Sequence, residues 1–124
     1  MNAFYQLISQ RPLAGFTTEL MLPELYGEQR RLDPLLLKHG LLPIRRFVCP
    51  LACDDQKGEW LDCWFEGNTG LCLVRGIFDL IHCQALELPR RQELLSELFT
   101  LAERLEVARI SGVPWQLGLE LEFA

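Results

Sequence analysis

Apolar and polar residues alternate without a fault from Trp115 to Phe123, and this period of two predicts a strand with one buried face. Trp115, Leu117, Leu119, Leu121 and Phe123 share that face, and Gln116, Gly118, Glu120 and Glu122 share the other. Before it, Leu94, Leu95, Leu98, Leu101, Ala102, Leu105 and Ala108 recur at helical spacing and predict an amphipathic helix over about Pro89–Ile110. Arg90, Glu93, Glu97, Glu103, Arg104 and Glu106 fall largely outside that stripe. Pro89 suits the first turn, and Ser111-Gly112 followed by Pro114 suits the stop.

The earlier segments carry shorter patterns. Asn2–Gln10 reads as a short helix with Phe4, Leu7 and Ile8 on one side, ended by Arg11-Pro12. Phe16–Leu22 alternates as a strand. Asp33-Pro34 then reads as an N-cap and first helical residue, with Gly40 as the left-handed stop of a short helix. Lys38 and His39 fall in its last turn, where positive charge complements the helix dipole.

Ile44–Cys49 and Glu59–Phe65 read as strands, and Glu66-Gly67-Asn68-Thr69-Gly70 as the turn of a hairpin. Its return arm, Leu71–Phe78, is apolar on both faces apart from Arg75, as a central strand would be, and Asp79–Leu86 fits either strand or helix, with strand preferred. These elements predict an α+β fold. A single-layer antiparallel or mixed sheet of about five strands is expected to carry the long helix and shorter N-terminal helices. No repeat or linker-like run divides residues 1–124, so one domain is expected. The final strand is expected at a sheet edge, where its open backbone would pair with a second copy unless Glu120 and Glu122 prevent it.

Composition narrows the function classes. Twelve Lys and Arg against seventeen Asp and Glu leave a net charge of −5, which disfavours nucleic acid and anionic membrane as partners. The pairs Arg30–Arg31, Arg45–Arg46 and Arg90–Arg91 are separate and not interleaved with stacking aromatics. No segment has the length of a bilayer span or the form of a leader, and five cysteines are an odd number, so a reducing cytoplasmic setting is expected.

Candidate chemistry is sparse. Cys49 and Cys53, with one or two of Cys63, Cys72, His82 and Cys83, and Cys83 foremost, are the candidate zinc or thiol-regulatory cluster, although their spacing is not that of paired zinc ligands. Free Cys is otherwise a small buried hydrophobe. Asp54-Asp55 has ordinary turn composition, and Gly67-Asn68-Thr69-Gly70 lacks the lysine of a phosphate loop. Arg45, Arg46 and Arg75 are candidate anchors for a small anionic ligand. Trp60 and Trp64 share one strand face and, if exposed, form an apolar patch. The expectation from these patterns is a non-enzymatic, homodimeric protein-binding accessory domain of adaptor, chaperone-like or neutralising type. It needs no cofactor and presents Trp60, Trp64, Trp115, Leu117 and Leu119 to a protein partner.

Overall fold

The computed structural model describes residues 2–13, 20–49, 64–83 and 86–122. In chain order these form β1 (Asn2–Ser9), β2 (Met21–Leu22), α1 (Pro23–Lys38), a 3₁₀ turn (Ile44–Phe47), β3 (Val48–Cys49), α2 (Gly67–Cys83), α3 (Arg91–Ser111) and β4 (Trp115–Glu122). The fold is α+β. Its sheet runs β2-β1-β4-β3, antiparallel except for the β3–β4 pair, so four strands and three α-helices stand among the described residues.

The C-terminal alternation does form a strand, but an interior one. β4 pairs with β1 along its whole length, from Asn2↔Glu122 to Ser9↔Trp115, and its other side takes β3 at Val48↔Leu117. The expected edge position is therefore corrected. The strand is central because β1, read from sequence as a helix, is a strand. Phe4, Leu7 and Ile8 fit helical spacing, yet Tyr5 and Leu7 also alternate. The choice was made by a pairing partner more than a hundred residues away.

One face of this sheet carries Tyr5, Leu7, Leu22, Val48, Trp115 and Leu117, all buried. The helices cover that face. α1 packs on β1, and α2 pairs with α3. On α3 the expected stripe is the buried one, with Leu94, Leu98, Leu101, Leu105 and Ala108 inside and Leu95 and Ala102 partly buried. At its end Gly112 has φ 67°, Val113 N–H donates to Ala108 O at 3.0 Å and Gly112 N–H to Arg109 O at 3.3 Å, the paired bonds of a Schellman stop.

The predicted hairpin is not formed. Gly67–Cys83 is one helix, and Leu73, Val74, Ile77, Leu80 and Ile81 are its buried face. Its glycines mark close approaches, not a reversal. A Cβ on Gly67 would lie 2.7 Å from the Arg109 backbone, one on Gly70 2.7 Å from Trp115 Cε2, and one on Gly76 2.7 Å from Leu41 Cδ1. Residues 59–63 of the expected preceding strand lie outside the described residues, but Phe65 forms an antiparallel bridge with Trp115.

α1 is longer than expected and begins at Pro23 rather than Asp33-Pro34. Its N-terminus has no side-chain cap of its own. Glu97 of α3 supplies one: its carboxylate oxygens accept Glu24 N–H at 2.8 Å and Leu25 N–H at 3.0 Å. Burial raises the Glu97 pKa despite those two bonds. The C-terminal stop at Gly40 is as the sequence predicts, with φ 74° and Leu41 N–H donating to Leu36 O at 2.9 Å. Ile44–Phe47, read as strand, is the 3₁₀ turn, and only Val48–Cys49 extends. Of Phe16–Leu22, Met21–Leu22 is strand and residues 16–19 lie outside the described residues.

Tyr5 lies in the core, 1% exposed, edge-on to Tyr26 at a centroid distance of 5.2 Å. Burial, then the nearby Asp33 carboxylate, pushes its hydroxyl from 10.0 up to about 12. The folded state thus favours the neutral phenol. This contribution is intact below pH 10.0 and is lost as pH rises through about 12, at up to about 1.4 kcal/mol per pH unit. Alkaline denaturation followed by circular dichroism should show that steepening in the wild type, and Tyr5→Phe should flatten it. An unchanged slope in the variant would contradict this role for Tyr5.

Candidate docking surface on the second helix

Asp33 decides where the loop after α1 runs. Its side chain is buried, although Pro34 follows it inside the helix and costs the helix one amide. Asp33 Oδ1 accepts Ile44 N–H at 2.6 Å, Oδ2 accepts a longer bond from Arg45 N–H at 3.5 Å, and Gln29 donates to Oδ2. A residue that resembles an N-cap in sequence thus caps a different turn, eleven residues on. The Schellman stop at Gly40 and this tether fix both ends of the Leu41–Pro43 segment against α2.

Leu41 settles on Gly76, where the absent side chain leaves room for its Cδ1. On either side of it a cavity opens. One, of about 190 Å³, is lined by Leu41, Leu42, Phe47, Thr69, Cys72 and Leu73. The other, of about 400 Å³, is lined by His39, Leu41, Gly76, Asp79, Leu80 and Cys83. Together they make a largely apolar groove along one flank of α2. Leu42 stands 48% exposed in its lining. Across α2, Phe78 contacts Phe99 at a centroid distance of 5.1 Å, and Phe99 is 63% exposed.

The outward face of α2 between these flanks carries Cys72, Arg75, Asp79 and Cys83, all exposed, in one stripe set by the helical period. His82 stacks on Phe78 at 6.2 Å and lies 3.4 Å, through Nδ1, from Arg91 Nη2. A third cavity, of about 260 Å³, opens where α2 begins and α3 ends, among Glu66, Asn68, Arg109 and Pro114. Arg109 is already bound there by Glu106, which lowers the Glu106 pKa and raises that of Arg109.

The residues singled out from sequence are dispersed. Trp115 and Leu117 are 1% and 0% exposed, so they belong to the core and not to a docking face. Leu119 is partly buried behind them. Trp115 stacks on Phe47 at 5.4 Å, and its indole N–H donates to Glu66 O at 2.9 Å. Trp64 is partly buried, and Trp60 lies outside the described residues. Cys53, Cys63 and the Cys49 side chain also lie outside them, while Cys83 is exposed at the end of α2. Among the described residues no group of three His, Cys, Asp or Glu side chains is placed to hold a metal ion.

Arg45 and Arg46 are exposed on the 3₁₀ turn and Arg75 on α2, and none of them lines the three cavities. Leu42, Cys72, Asp79 and Phe99 were not expected to share a surface. The signal was present in the i, i+3, i+4 spacing of Leu73, Val74, Ile77, Leu80 and Ile81, which fits a helix and places Cys72, Arg75, Asp79 and Cys83 together opposite it. No helix among the described residues is long and apolar enough to cross a membrane. Comparison of the chain with known protein families, curated proteins and solved structures finds no match.

The tether predicts an asymmetry between two substitutions. Asp33→Ala leaves the buried Ile44 amide without an acceptor and should cost about 2 kcal/mol, whereas Asp33→Asn keeps one acceptor and should cost less. Urea denaturation measures both. Equal losses, or a neutral Asp33→Ala, would show that the carboxylate does not hold the groove wall.

Proposed function

We propose that the chain is a non-enzymatic protein-binding accessory domain that docks a protein along the outward face of α2. The observation that carries this reading is the groove itself. Two cavities meet at Leu41 on a flank of one helix, with Leu42 about half exposed in their lining and Phe99 exposed across the helix. Apolar side chains in clefts of this kind gain most from desolvation by a well-packed partner. The surroundings of the groove carry charge of both signs. Asp79 lines the larger cavity, Lys38 is exposed at the end of α1, and Arg45 and Arg46 are exposed on the 3₁₀ turn. Charges placed around an apolar groove favour particular partners and orientations more than they add affinity.

The surface expected from the sequence is thereby moved from the sheet edge to the helix layer. Adaptor, chaperone-like and neutralising roles all use such a surface, and the partner distinguishes them.

Leu42→Asp tests the assignment, because an exposed side chain can be changed with little effect on stability. Full-length wild type immobilised on resin should retain a protein from extracts of its native host. The Leu42→Asp variant should lose it, with binding at least about tenfold weaker and an unchanged melting temperature. Leu121→Asp, at the far end of β4 and also about half exposed, should retain it. Equal retention by wild type and Leu42→Asp, or loss only in Leu121→Asp, would place docking elsewhere.

A further inference from the structure

We infer that the occupant of this surface is a second copy of the same chain, whose α2 lies antiparallel across the first about a twofold axis near position 77. The inference rests on the docking reading above and names its partner. Its basis is the order of residues along the exposed stripe of α2. Arg75 stands two residues before position 77 and Asp79 two after it, while Cys72 stands five before and Cys83 six after. The stripe is close to self-complementary. Turning a copy end for end makes two Arg75–Asp79 pairs, one on each side of the axis, whereas a parallel copy sets like charge against like.

Three further features agree with that geometry. Neither Arg75 nor Asp79 has a hydrogen bond or ion pair with another described residue, so both charges are available to a partner. Cys72 and Cys83 are small, which lets two helices approach to the usual interaxial distance of about 8–10 Å. The flanks also correspond. An antiparallel twofold sets each flank of α2 against the same flank of the copy, with its ends exchanged.

On the groove side, Leu42 lies at the Cys72 end, so it faces the copy's cavity of about 400 Å³ at the Cys83 end, and the relation is reciprocal. This gives the exposed leucine an apolar hole and the hole an occupant. On the other side Phe99 is seated on Phe78, one residue from the axis, and so meets the Phe99 of the copy. Offset or edge-on pairing of two such rings favours association beyond the area they bury.

Sedimentation of the purified full-length protein provides the test. At about 100 μM, far above a Kd of ~1 μM, the wild type should be a dimer. Arg75→Asp and Asp79→Arg should each raise the dissociation constant at least tenfold, because each sets like charges together twice. The double variant, with both substitutions, should recover the dimer. Thermal melts establish that the single variants remain folded.

Mild oxidation of the wild type with copper phenanthroline supplies a second reading, since the antiparallel arrangement predicts an intermolecular Cys72–Cys83 disulfide in the peptide map. A monomeric wild type overturns the second copy as occupant and leaves the docking reading to the Leu42→Asp experiment. A dimer indifferent to both charge reversals, or one cross-linked as Cys72–Cys72 and Cys83–Cys83, overturns the proposed geometry.

Discussion

At Gly70 the second helix lies so close to the indole of Trp115 that a side chain there would stand 2.7 Å from Cε2 and 2.9 Å from Leu105 Cδ1. The remaining placement of α2 follows from this contact. The indole is fixed from three sides, by stacking on Phe47, by the tilted ring of Phe65 at 5.9 Å, and by its N–H bond to the carbonyl of Glu66, just before the helix begins. Phe65 and Trp115 also exchange backbone hydrogen bonds of 2.8 and 2.9 Å. The start of α2 is thus attached to the start of β4, and the buried face of the helix has one orientation. Its opposite stripe, with Cys72, Arg75, Asp79 and Cys83, then has no choice but to face outward.

Two carboxylates do at a distance what local caps do in simpler helices. Glu97 closes the amides that begin α1, and Asp33 closes those of the 3₁₀ turn that follows it. Each joins elements that are remote in sequence, so helix ends and tertiary packing are stabilised by the same bonds. Arg90 bonds Glu24 at 2.8 Å beside the first of these caps and partly balances the acidic charge there. The loop that forms the groove wall is consequently tethered at both ends. That is what allows a half-exposed Leu42 to be held ready at the surface instead of collapsing onto the core.

How much of this is legible in the sequence depends on whether a segment's partner is local. The long helix and the last strand follow from their own periodicity, as do both glycine stops, Gly40 and Gly112, because nothing remote opposes them. β1 is illegible alone, since Phe4, Leu7 and Ile8 satisfy a helix as well as a strand until β4 is present to pair with it. α2 is misread for a more specific reason. Gly67 and Gly70 suggest a turn because glycine is common there, whereas in the fold they are sites where Arg109 and Trp115 leave no room for a side chain. Asp33 misleads in the same way, as a cap whose recipient is not the next helix. Once α2 is assigned as strand, Cys72 falls on the face opposite Arg75, Asp79 and Cys83, and the candidate docking surface disappears from view.

The proposed function rests on the outward face of α2, with the groove on one flank and Phe99 on the other, and on the inferred second copy that would cover them together. Amide chemical shifts recorded from dilute to concentrated protein test this most directly, because they report every position without altering any. Concentration-dependent shifts should gather at Leu42, Cys72, Arg75, Asp79, Cys83 and Phe99, and leave Phe4, Gln6 and Ile8 on the far face of the sheet unmoved. Spectra that do not change with concentration, or shifts centred on that sheet face, would contradict the account.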